Sequence, residues 1–514
     1  MLMNITASVI FVGLFAFIAL LGFAASRWQS GDLTQLHEWG LGGRRFGAWI
    51  SWFLIGGDLY TAYTFIAVPA LVFSVGAFGF FAIPFTVLAY PLTFSLLPRL
   101  WAVSQRHNFI TASDFVRSRF DSPGLALVIA VTGIVATMPY IALQLVGIQV
   151  VIGALGFPNH GWAADLPLTI AFIVLAVFTY TSGLRAPAVI AVVKDLLVYI
   201  TVIAVMIVVP MKMGGMHAIF AAIPHSKLLL TPPNDNSFGQ YSSFITLALG
   251  SAFAVMLYPH ALTALLSARS SDTLRRNWIF LPAYSLMLGF IALMGYFAFS
   301  AGLDKLPEFK SYFATYHAQF AVPGLLLHFF PPWFVGIGFA AVAIGALVPA
   351  AIMSIAAANL FTRNIYKEYI NPECTDAQES GMAKLISLLV KFGALLFIVL
   401  IPQQYAINLQ LLGGILILQT LPSIATGLYT RWFDGKALLL GWAAGVAYGA
   451  WMVSTLSFKG SVYNLHVFGY TIAGYAGFYA LLLNLAVAVA ATVVVRAAGL
   501  NSKGDGTLAA DYIS

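Results

Sequence analysis

The sequence predicts an all-α polytopic membrane protein with about 13 transmembrane helices in a single domain covering residues 1–514. Of its residues, 61% are hydrophobic and 8% are charged, whereas an average soluble protein carries about 25% charged residues. Apolar stretches long enough to cross a bilayer recur along the whole chain. Two of these stretches are interrupted near their middle, and they lie five stretches apart.

A transmembrane helix needs about 20 predominantly apolar residues. The sixth stretch that meets this criterion contains Lys194 and Asp195, and only a short hinge at Pro402 separates the tenth from the eleventh. The start of the chain lacks the basic region of a signal peptide, so we expect the first stretch to be retained. We expect the small, polar tail after Gly499 to be disordered. The predicted spans are 5–27, 47–75, 77–99, 124–154, 165–184, 187–210, 240–266, 275–301, 334–363, 383–401, 404–429, 436–457 and 469–495.

Lysine and arginine are distributed unequally between the two sides of this map. If the N-terminus is outside, 18 of the 25 basic residues fall on the cytoplasmic side and five fall in outer loops, while Lys194 and Lys391 fall within spans. The positive-inside rule then predicts an outside N-terminus and a cytoplasmic C-terminus. The net charge of +7 therefore reflects topology, and no nucleic-acid partner is expected.

Other classes of protein find little support in the sequence. Cys374 is the only cysteine, so we expect no intrachain disulfide and no cysteine metal cluster. The absence of HExxH, GxSxG and paired His/Asp metal spacings argues against an enzyme, and no cofactor is expected. The predicted cytoplasmic segments are too short for a kinase, which argues against a membrane-embedded sensor.

The second span carries a carboxylate, Asp58, near its middle. A charge at the centre of a membrane helix costs about 2.5–3.5 kcal/mol on insertion scales, and Gly56, Gly57 and Pro69 favour an interruption of the helix. Freed backbone groups are tolerated at membrane depth only where they face protein or a water-lined cavity. Secondary transporters bind substrate and coupling ion at such breaks. Asp58 is therefore predicted to belong to a site; the alternative is a kinked helix with Asp58 hydrogen-bonded to a neighbour.

The seventh span is interrupted at Pro259, which lacks a backbone N–H and is flanked by Tyr258 and His260. Breaks in the second and seventh spans have the spacing expected of two inverted five-helix repeats. We therefore predict core repeats at about 47–210 and 240–429, and peripheral spans at 5–27, 436–457 and 469–495.

Polar residues occur in two further spans. Tyr140 and Gln144 lie four residues apart on one face of the fourth span, where they could contact a polar solute or a neighbouring helix. Lys194 lies roughly 10 Å from the cytoplasmic end of the sixth span. It could extend to the interface, or it could point into the bundle and pair with a carboxylate.

Ordered motifs along most of the chain resemble the sodium/solute symporter family: Gly42-Gly-Arg-Arg-Phe-Gly47, Ser182-Gly-Leu-Arg185 leading to Asp195, Pro259-His260 followed by Arg275-Arg276, and Tyr366-Lys-Glu-Tyr-Ile-Asn-Pro372. The segments from Gly57 to Ala70 and from Met138 to Gly147 resemble the bacterial monocarboxylate permease branch. That branch takes up lactate, pyruvate and similar short acids. The resemblance implies a leucine-transporter-type core formed by spans two to eleven, with one span before it and two after.

The sodium site of that family combines backbone carbonyls of the broken second span with two hydroxyl residues of the ninth. Here the corresponding ninth-span positions hold Val348 and Pro349, which offer no side-chain oxygen to a hard cation. The resemblance also matches Asp195 to a conserved aspartate near this site. The carbonyl half of the site could be retained, at Gly56, Gly57, Leu59 and Tyr60.

This departure leaves two alternatives for ion coupling. In the first, the Lys194 ammonium occupies the place of sodium, and protonation of Lys194 or Asp58 replaces sodium coupling. In the second, a shifted sodium site uses Asp58 and Ser354. No metal other than a possible sodium ion is expected.

The resulting hypothesis is proton- or sodium-coupled import of a short monocarboxylate across the bacterial cytoplasmic membrane by alternating access. The expected partners are this small solute and the lipid bilayer, and a small membrane subunit is left open. The alternatives are a sodium-coupled symporter of another solute, such as an amino acid or a pantothenate-like acid, or a passive facilitator or channel. Helix N-termini at the breaks would favour a carboxylate. The predicted substrate-facing residues are Thr61, Tyr63, Thr64, Tyr258 and His260, then Tyr140 and Gln144, and the predicted ion-coupling residues are Asp58, Lys194 and Asp195.

Overall fold

The computed structural model describes residues 4–28, 31–157, 162–400, 406–500 and 504–513. In the first part of the chain, up to residue 228, the helices are α1 (Ile5–Ala24), α2 (Leu36–Leu41), α3 (Ala48–Gly57), α4 (Val68–Val75), α5 (Ala82–His107), α6 (Ala112–Phe120), α7 (Pro123–Ala154), α8 (Trp162–Ser182), α9 (Arg185–Lys212), α10 (Met216–Ala221) and α11 (His225–Leu228). The remaining elements are α12 (Tyr241–Val255), α13 (Pro259–Leu266), α14 (Ser271–Phe280), α15 (Pro282–Ser300), α16 (Lys310–Tyr316), α17 (Ala321–Phe329), α18 (Pro332–Phe361), α19 (Asp376–Leu400), α20 (Ala406–Ile417), α21 (Leu421–Tyr429), α22 (Gly435–Thr455), β1 (Val462–Val467), β2 (Tyr470–Tyr475) and α23 (Ala476–Ala497).

Within the described residues, each predicted span except the last coincides with one helix or with consecutive helices. In the described part of the chain, nine helical segments are long and apolar enough to cross a membrane, and α12 with α13 makes a tenth. Helix α3 and the apolar segment Thr169–Ser182 of α8 are shorter than a full crossing. The number of thirteen crossings therefore stays a prediction, and the hinge at Pro402 lies outside the described residues.

Both predicted interruptions are present. Helix α3 ends at Gly57, residues 58–61 are not helical, and the chain resumes through a π-helical turn at Tyr63–Ala67 that continues into α4. Helix α12 ends at Val255, and α13 starts at Pro259 with a bend of 45° between the two. Proline is well suited to the first position of a helix, because the N–H it lacks would have no partner there.

Helix α18 forms the centre of the bundle. Nearly all of its side chains are buried, and it packs against α1, α7, α9, α13 and α19. Small residues allow neighbouring helices to approach closely in membranes. At Gly336, for example, an added Cβ would lie 2.6 Å from the Ala7 carbonyl oxygen.

The last predicted span starts later than expected. It was placed at 469–495, but residues 470–475 form strand β2, which pairs antiparallel with β1, and α23 begins only at Ala476. Phe468 and Gly469 connect the strands with φ of 50° and 84°, as in a type I′ hairpin turn. The sequence predicted a helix here because residues 470–475 carry no charge and lead directly into the apolar helix α23.

The C-terminal tail was expected to be disordered, and this expectation is wrong for residues 504–513. The backbone N–H of Gly506 donates to the Ser118 carbonyl at 2.8 Å. Asp505 accepts a hydrogen bond from the Arg119 guanidinium at 3.0 Å, and Asp511 lies 2.7 Å from Nε2 of His107. The polar tail is therefore held by charged and polar groups on α5 and α6.

The contact between Asp511 and His107 predicts how the tail responds to pH. The hydrogen bond with His107 holds the pKa of the Asp511 carboxyl below its usual value of 3.8. A lowered carboxyl pKa stabilises the docked tail above the ordinary value, and this stabilisation is lost as the pH falls through the lowered value. We expect the tail to stay docked between about pH 5 and 8, and Asp511→Ala to speed amide exchange of residues 504–513 roughly two- to fivefold.

Hydrogen-exchange mass spectrometry measures this effect. Asp304→Ala, which replaces an exposed carboxylate outside this contact, is the control and should leave the tail protected. Unchanged exchange in Asp511→Ala would show that Asp511 does not hold the tail.

Candidate functional site

The first break surrounds a buried lysine on α9. The Lys194 ammonium donates hydrogen bonds to the carbonyl oxygens of Gly57 and Tyr60, the latter at 3.1 Å, and it lies 3.1 Å from Oδ1 of Asp195. The side chains of Lys194 and Asp195 are both 0% exposed. Lys194 therefore points into the bundle and pairs with a carboxylate, and it does not extend to the interface.

Two glycines make this approach possible. An added Cβ on Gly57 would lie 3.0 Å from Nζ of Lys194 and from Oδ2 of Asp195. At Gly56, an added Cβ would lie 2.3 Å from the ring of Tyr284. The glycine pair that precedes Asp58 therefore serves close packing as well as interruption of the helix.

Tyr284 on α15 completes the surroundings of the ion pair. Its hydroxyl donates to Oδ2 of Asp195 at 2.7 Å, and its backbone carbonyl accepts a hydrogen bond from the Tyr60 hydroxyl at 3.3 Å. Tyr284 was not predicted from the sequence, because no motif marks it in the eighth span. Asp195 thus holds a cation on one oxygen and a phenol on the other.

The other predicted members of the cation site have different surroundings. The Gly56 carbonyl accepts the backbone N–H of Leu59 at 2.9 Å within the turn of the break. Val348 and Pro349 are buried in α18 and contribute no side-chain oxygen. The cation that meets the carbonyls of this break is therefore the lysine ammonium.

Ser354 belongs to a separate cluster. Its hydroxyl donates to the Ala351 carbonyl at 2.7 Å and accepts a hydrogen bond from Ser387 at 3.2 Å. The buried ammonium of Lys391 in turn donates to Ser387 at 2.9 Å. None of the hydrogen bonds of the described residues joins Ser354 to Asp58, so the geometry gives no support to the shifted sodium site.

Asp58 and His260 connect the two breaks. Nε2 of His260 lies 3.3 Å from Oδ2 of Asp58, with side-chain exposures of 3% and 9%. The neighbour of Asp58 is therefore itself part of the second break. Oδ1 of Asp58 and Nδ1 of His260 are buried without a hydrogen-bond partner among the described residues, so both atoms are available to a solute or to water.

Aromatic rings lie beside this pair. The rings of Tyr140, Tyr258 and His260 are mutual neighbours, with centroids 5.3–5.4 Å apart. The Tyr258 hydroxyl donates to the Gln410 carbonyl at 2.9 Å. The Tyr63 hydroxyl is buried and makes no hydrogen bond within the described residues. The structure thus brings together predicted substrate-facing residues from the second, fourth and seventh spans.

Three other predicted residues stabilise the break itself. Thr64 Oγ1 accepts the backbone N–H of Thr61, and Thr61 Oγ1 accepts that of Tyr63, at 2.9 and 3.0 Å. Oε1 of Gln144 accepts the N–H of Ala62 at 2.9 Å. The side chains of Thr61, Thr64 and Gln144 therefore satisfy backbone donors that the interrupted helix leaves free.

A polar stripe on α5 was missed from the sequence. A small cavity of about 50 Å³ is lined by Asp58 and by Thr86, Tyr90 and Thr93. It has room for only a few water molecules. The Tyr90 hydroxyl lies 2.8 Å from Oγ of Ser285. Their spacing in the sequence, four residues and then three, places all three on one helical face and could have identified them. A solute larger than a few waters requires this chamber to widen.

A family model described as the sodium:solute symporter family matches residues 39–445, which is most of the chain. The chain belongs to this family. It is 49% identical over 496 residues to the "Monocarboxylate transport permease protein" of Rhizobium johnstonii, covering 96% of this chain and 98% of that protein. It is 33% identical over 503 residues to the "Uncharacterized symporter YodF" of Bacillus subtilis, covering 97% and 95%.

The fold of this symporter also has a solved counterpart. A Na⁺-coupled sialic acid symporter matches it with a TM-score of 0.77, covering 97% of this chain and 99% of that chain. The identity is 16%, so the likeness concerns the fold alone. The predicted family and the leucine-transporter-type fold are confirmed. The chain is an integral membrane protein whose relatives are transporters of small molecules.

The close packing at the first break predicts the effect of one added methyl group. In Gly56→Ala the new Cβ would overlap the Tyr284 ring, and we expect a destabilisation of about 1–3 kcal/mol. The purified protein in detergent should therefore melt several degrees lower. The matched control is Gly13→Ala on α1, where an added Cβ meets nothing within 4 Å; because alanine is the better helix former, the melting temperature should not fall. Equal melting temperatures for both variants would contradict the packing described here.

Proposed function

We propose that this symporter imports a short monocarboxylate of the lactate or pyruvate type together with protons. The observation that carries the proton coupling is the Lys194 ammonium on the Gly57 and Tyr60 carbonyls. The family resemblance implies that those carbonyls belong to the backbone half of the family's sodium site. A titratable cation in this place supports coupling to protons rather than to sodium.

The substrate class is supported by the relative and by the chemistry of the breaks. The similar protein from Rhizobium johnstonii is named a monocarboxylate transport permease. Helix α13 starts at the second break, and a helix N-terminus favours a negatively charged group. The small chamber beside Asp58 suits a compact solute better than a large one.

Each predicted residue then has a role. Tyr63, Tyr140, Tyr258 and His260 contact the substrate, while Thr61, Thr64 and Gln144 keep the first break open by satisfying its backbone. Asp58, Lys194 and Asp195 carry the coupling. The transporter domain spans 1–514, with the core repeats at about 47–210 and 240–429, an outside N-terminus and a cytoplasmic C-terminus in the bacterial cytoplasmic membrane.

Charge explains how proton and substrate binding become linked. The Lys194–Asp195 pair is neutral overall when the lysine is protonated. Asp58 would repel a carboxylate substrate unless Asp58 or its partner His260 holds a proton. Binding of the anion therefore favours uptake of a proton at this pair. Loss of the proton from Lys194 would leave the Asp195 carboxylate without its counter-charge and weaken the hydrogen bonds from Lys194 to the break, which would loosen the contact between α3 and α9.

The second candidate is symport with sodium of this or another small solute. The description of the matching family as a sodium:solute symporter family favours it. Sodium would then bind at a shifted position that includes Asp58. A passive facilitator is the third possibility, and it would show flux without accumulation.

Uptake of labelled lactate into proteoliposomes distinguishes these possibilities. With proton and sodium gradients imposed separately, we expect accumulation with the proton gradient alone. Lys194→Ala should abolish this accumulation, because it removes the titratable cation from the first break. Accumulation driven only by sodium would support the second candidate, and equilibration without accumulation would support a facilitator.

The matched control is Lys391→Ala, which removes the other predicted intramembrane lysine. It should retain proton-driven accumulation. Lactate exchange without a gradient, measured on both variants, checks that each protein is folded and active. Unchanged accumulation in Lys194→Ala would show that this lysine has only a structural role.

A further inference from the structure

A second, larger cleft lies on the predicted outer side. It has a volume of about 360 Å³, within the range typical of ligand pockets. Its walls come from both broken spans, from α20 and from the loop that leads into the hairpin. The lining residues used below are Leu71, Leu247, Asn408, Leu411 and Lys459.

Lys459 is the only charged residue among those that line the cleft. Its backbone carbonyl accepts a hydrogen bond from the Asn408 amide at 2.7 Å, which fixes this loop against α20. The lysine residue itself is exposed, and it makes no ion pair with a described residue. The backbone that carries Lys459 is therefore fixed at the edge of the cleft, and its exposed side chain supplies the positive charge there.

Two other outer lysines are engaged elsewhere. The Lys212 ammonium donates to the Phe329 carbonyl at 2.6 Å. The Lys227 ammonium donates to the Phe73 carbonyl at 3.0 Å and lies over the Phe299 ring. Neither lines the cleft. Lys459 is thus the cation positioned to meet a solute that enters there.

The floor of the cleft is adjacent to the breaks. Leu411 lines the cleft, and its carbonyl accepts a hydrogen bond from the Tyr475 hydroxyl at 2.6 Å. The preceding carbonyl, that of Gln410, accepts one from Tyr258, which belongs to the second break. Tyr258, whose ring neighbours that of His260, thus bonds to the residue next to one that lines the cleft.

We propose that this cleft is an outer capture site for the carboxylate substrate, in which Lys459 attracts the anion before it passes to the breaks. The inference rests on the proposed monocarboxylate transport. An exposed ammonium is a strongly hydrated point charge, so it raises the local concentration of a small organic anion without holding it tightly. Because the charge is exposed, added salt screens it over about 10 Å at 0.1 M ionic strength.

Uptake of labelled lactate by intact cells tests the capture site from the outer face. Lys459→Gln should raise the KM about two- to fivefold and leave the maximal rate unchanged, Lys459→Glu should raise the KM further, and Lys459→Arg should resemble the wild type. The KM of the wild type should rise with ionic strength, and that of Lys459→Gln should respond much less. In inside-out vesicles, where substrate arrives from the cytoplasmic face, Lys459→Gln should have the wild-type KM.

Lys310→Gln, which removes another exposed lysine of the same predicted face outside the cleft, is the control and should behave as the wild type. An unchanged KM and salt response in Lys459→Gln overturns the capture site while lactate transport stands. A lower maximal rate with an unchanged KM also overturns it. Failure of the wild type to take up lactate would overturn the proposed function, and the capture site with it.

Discussion

The structure depends on the contact between the Lys194 ammonium and the backbone of the first break. An interrupted membrane helix exposes carbonyl oxygens, and a buried ammonium needs acceptors, so each satisfies the other. Asp195 balances the charge, and Tyr284 holds the second oxygen of that carboxylate. The glycines at 56 and 57 leave room for this arrangement. A monovalent cation at this place is thus part of the protein itself.

The second constraint is that the two breaks meet. Asp58 from the first and His260 from the second lie 3.3 Å apart, so a change of charge on either side chain acts on both interrupted spans. The free backbone donors of the first break are satisfied by Gln144 and by threonine hydroxyls. Oδ1 of Asp58 and Nδ1 of His260 have no hydrogen-bond partner among the described residues, and both belong to the pair of side chains at which the two breaks meet.

Much of this arrangement was predictable because membrane insertion restricts a sequence strongly. Long apolar stretches, the glycine pair before Asp58 and the proline at 259 identified the helices and both breaks. Val348 and Pro349, at positions where the family resemblance implies hydroxyl residues, indicated that Lys194 could take the place of sodium. The sequence did not predict that residues 470–475 form a strand, or that the Tyr284 hydroxyl reaches Asp195. Both depend on contacts with other segments of the folded chain. Composition likewise could not show that the polar tail binds the C-terminal ends of α5 and α6.

The central claim is that an ammonium occupies the place where this family would hold sodium. It is tested most directly by the melting temperature of the purified protein as sodium replaces potassium at constant ionic strength. A ligand that binds the folded state raises the melting temperature in a concentration-dependent way. With Lys194 in the site, the melting temperature should be the same in both salts. A sodium-specific rise that saturates would contradict the claim.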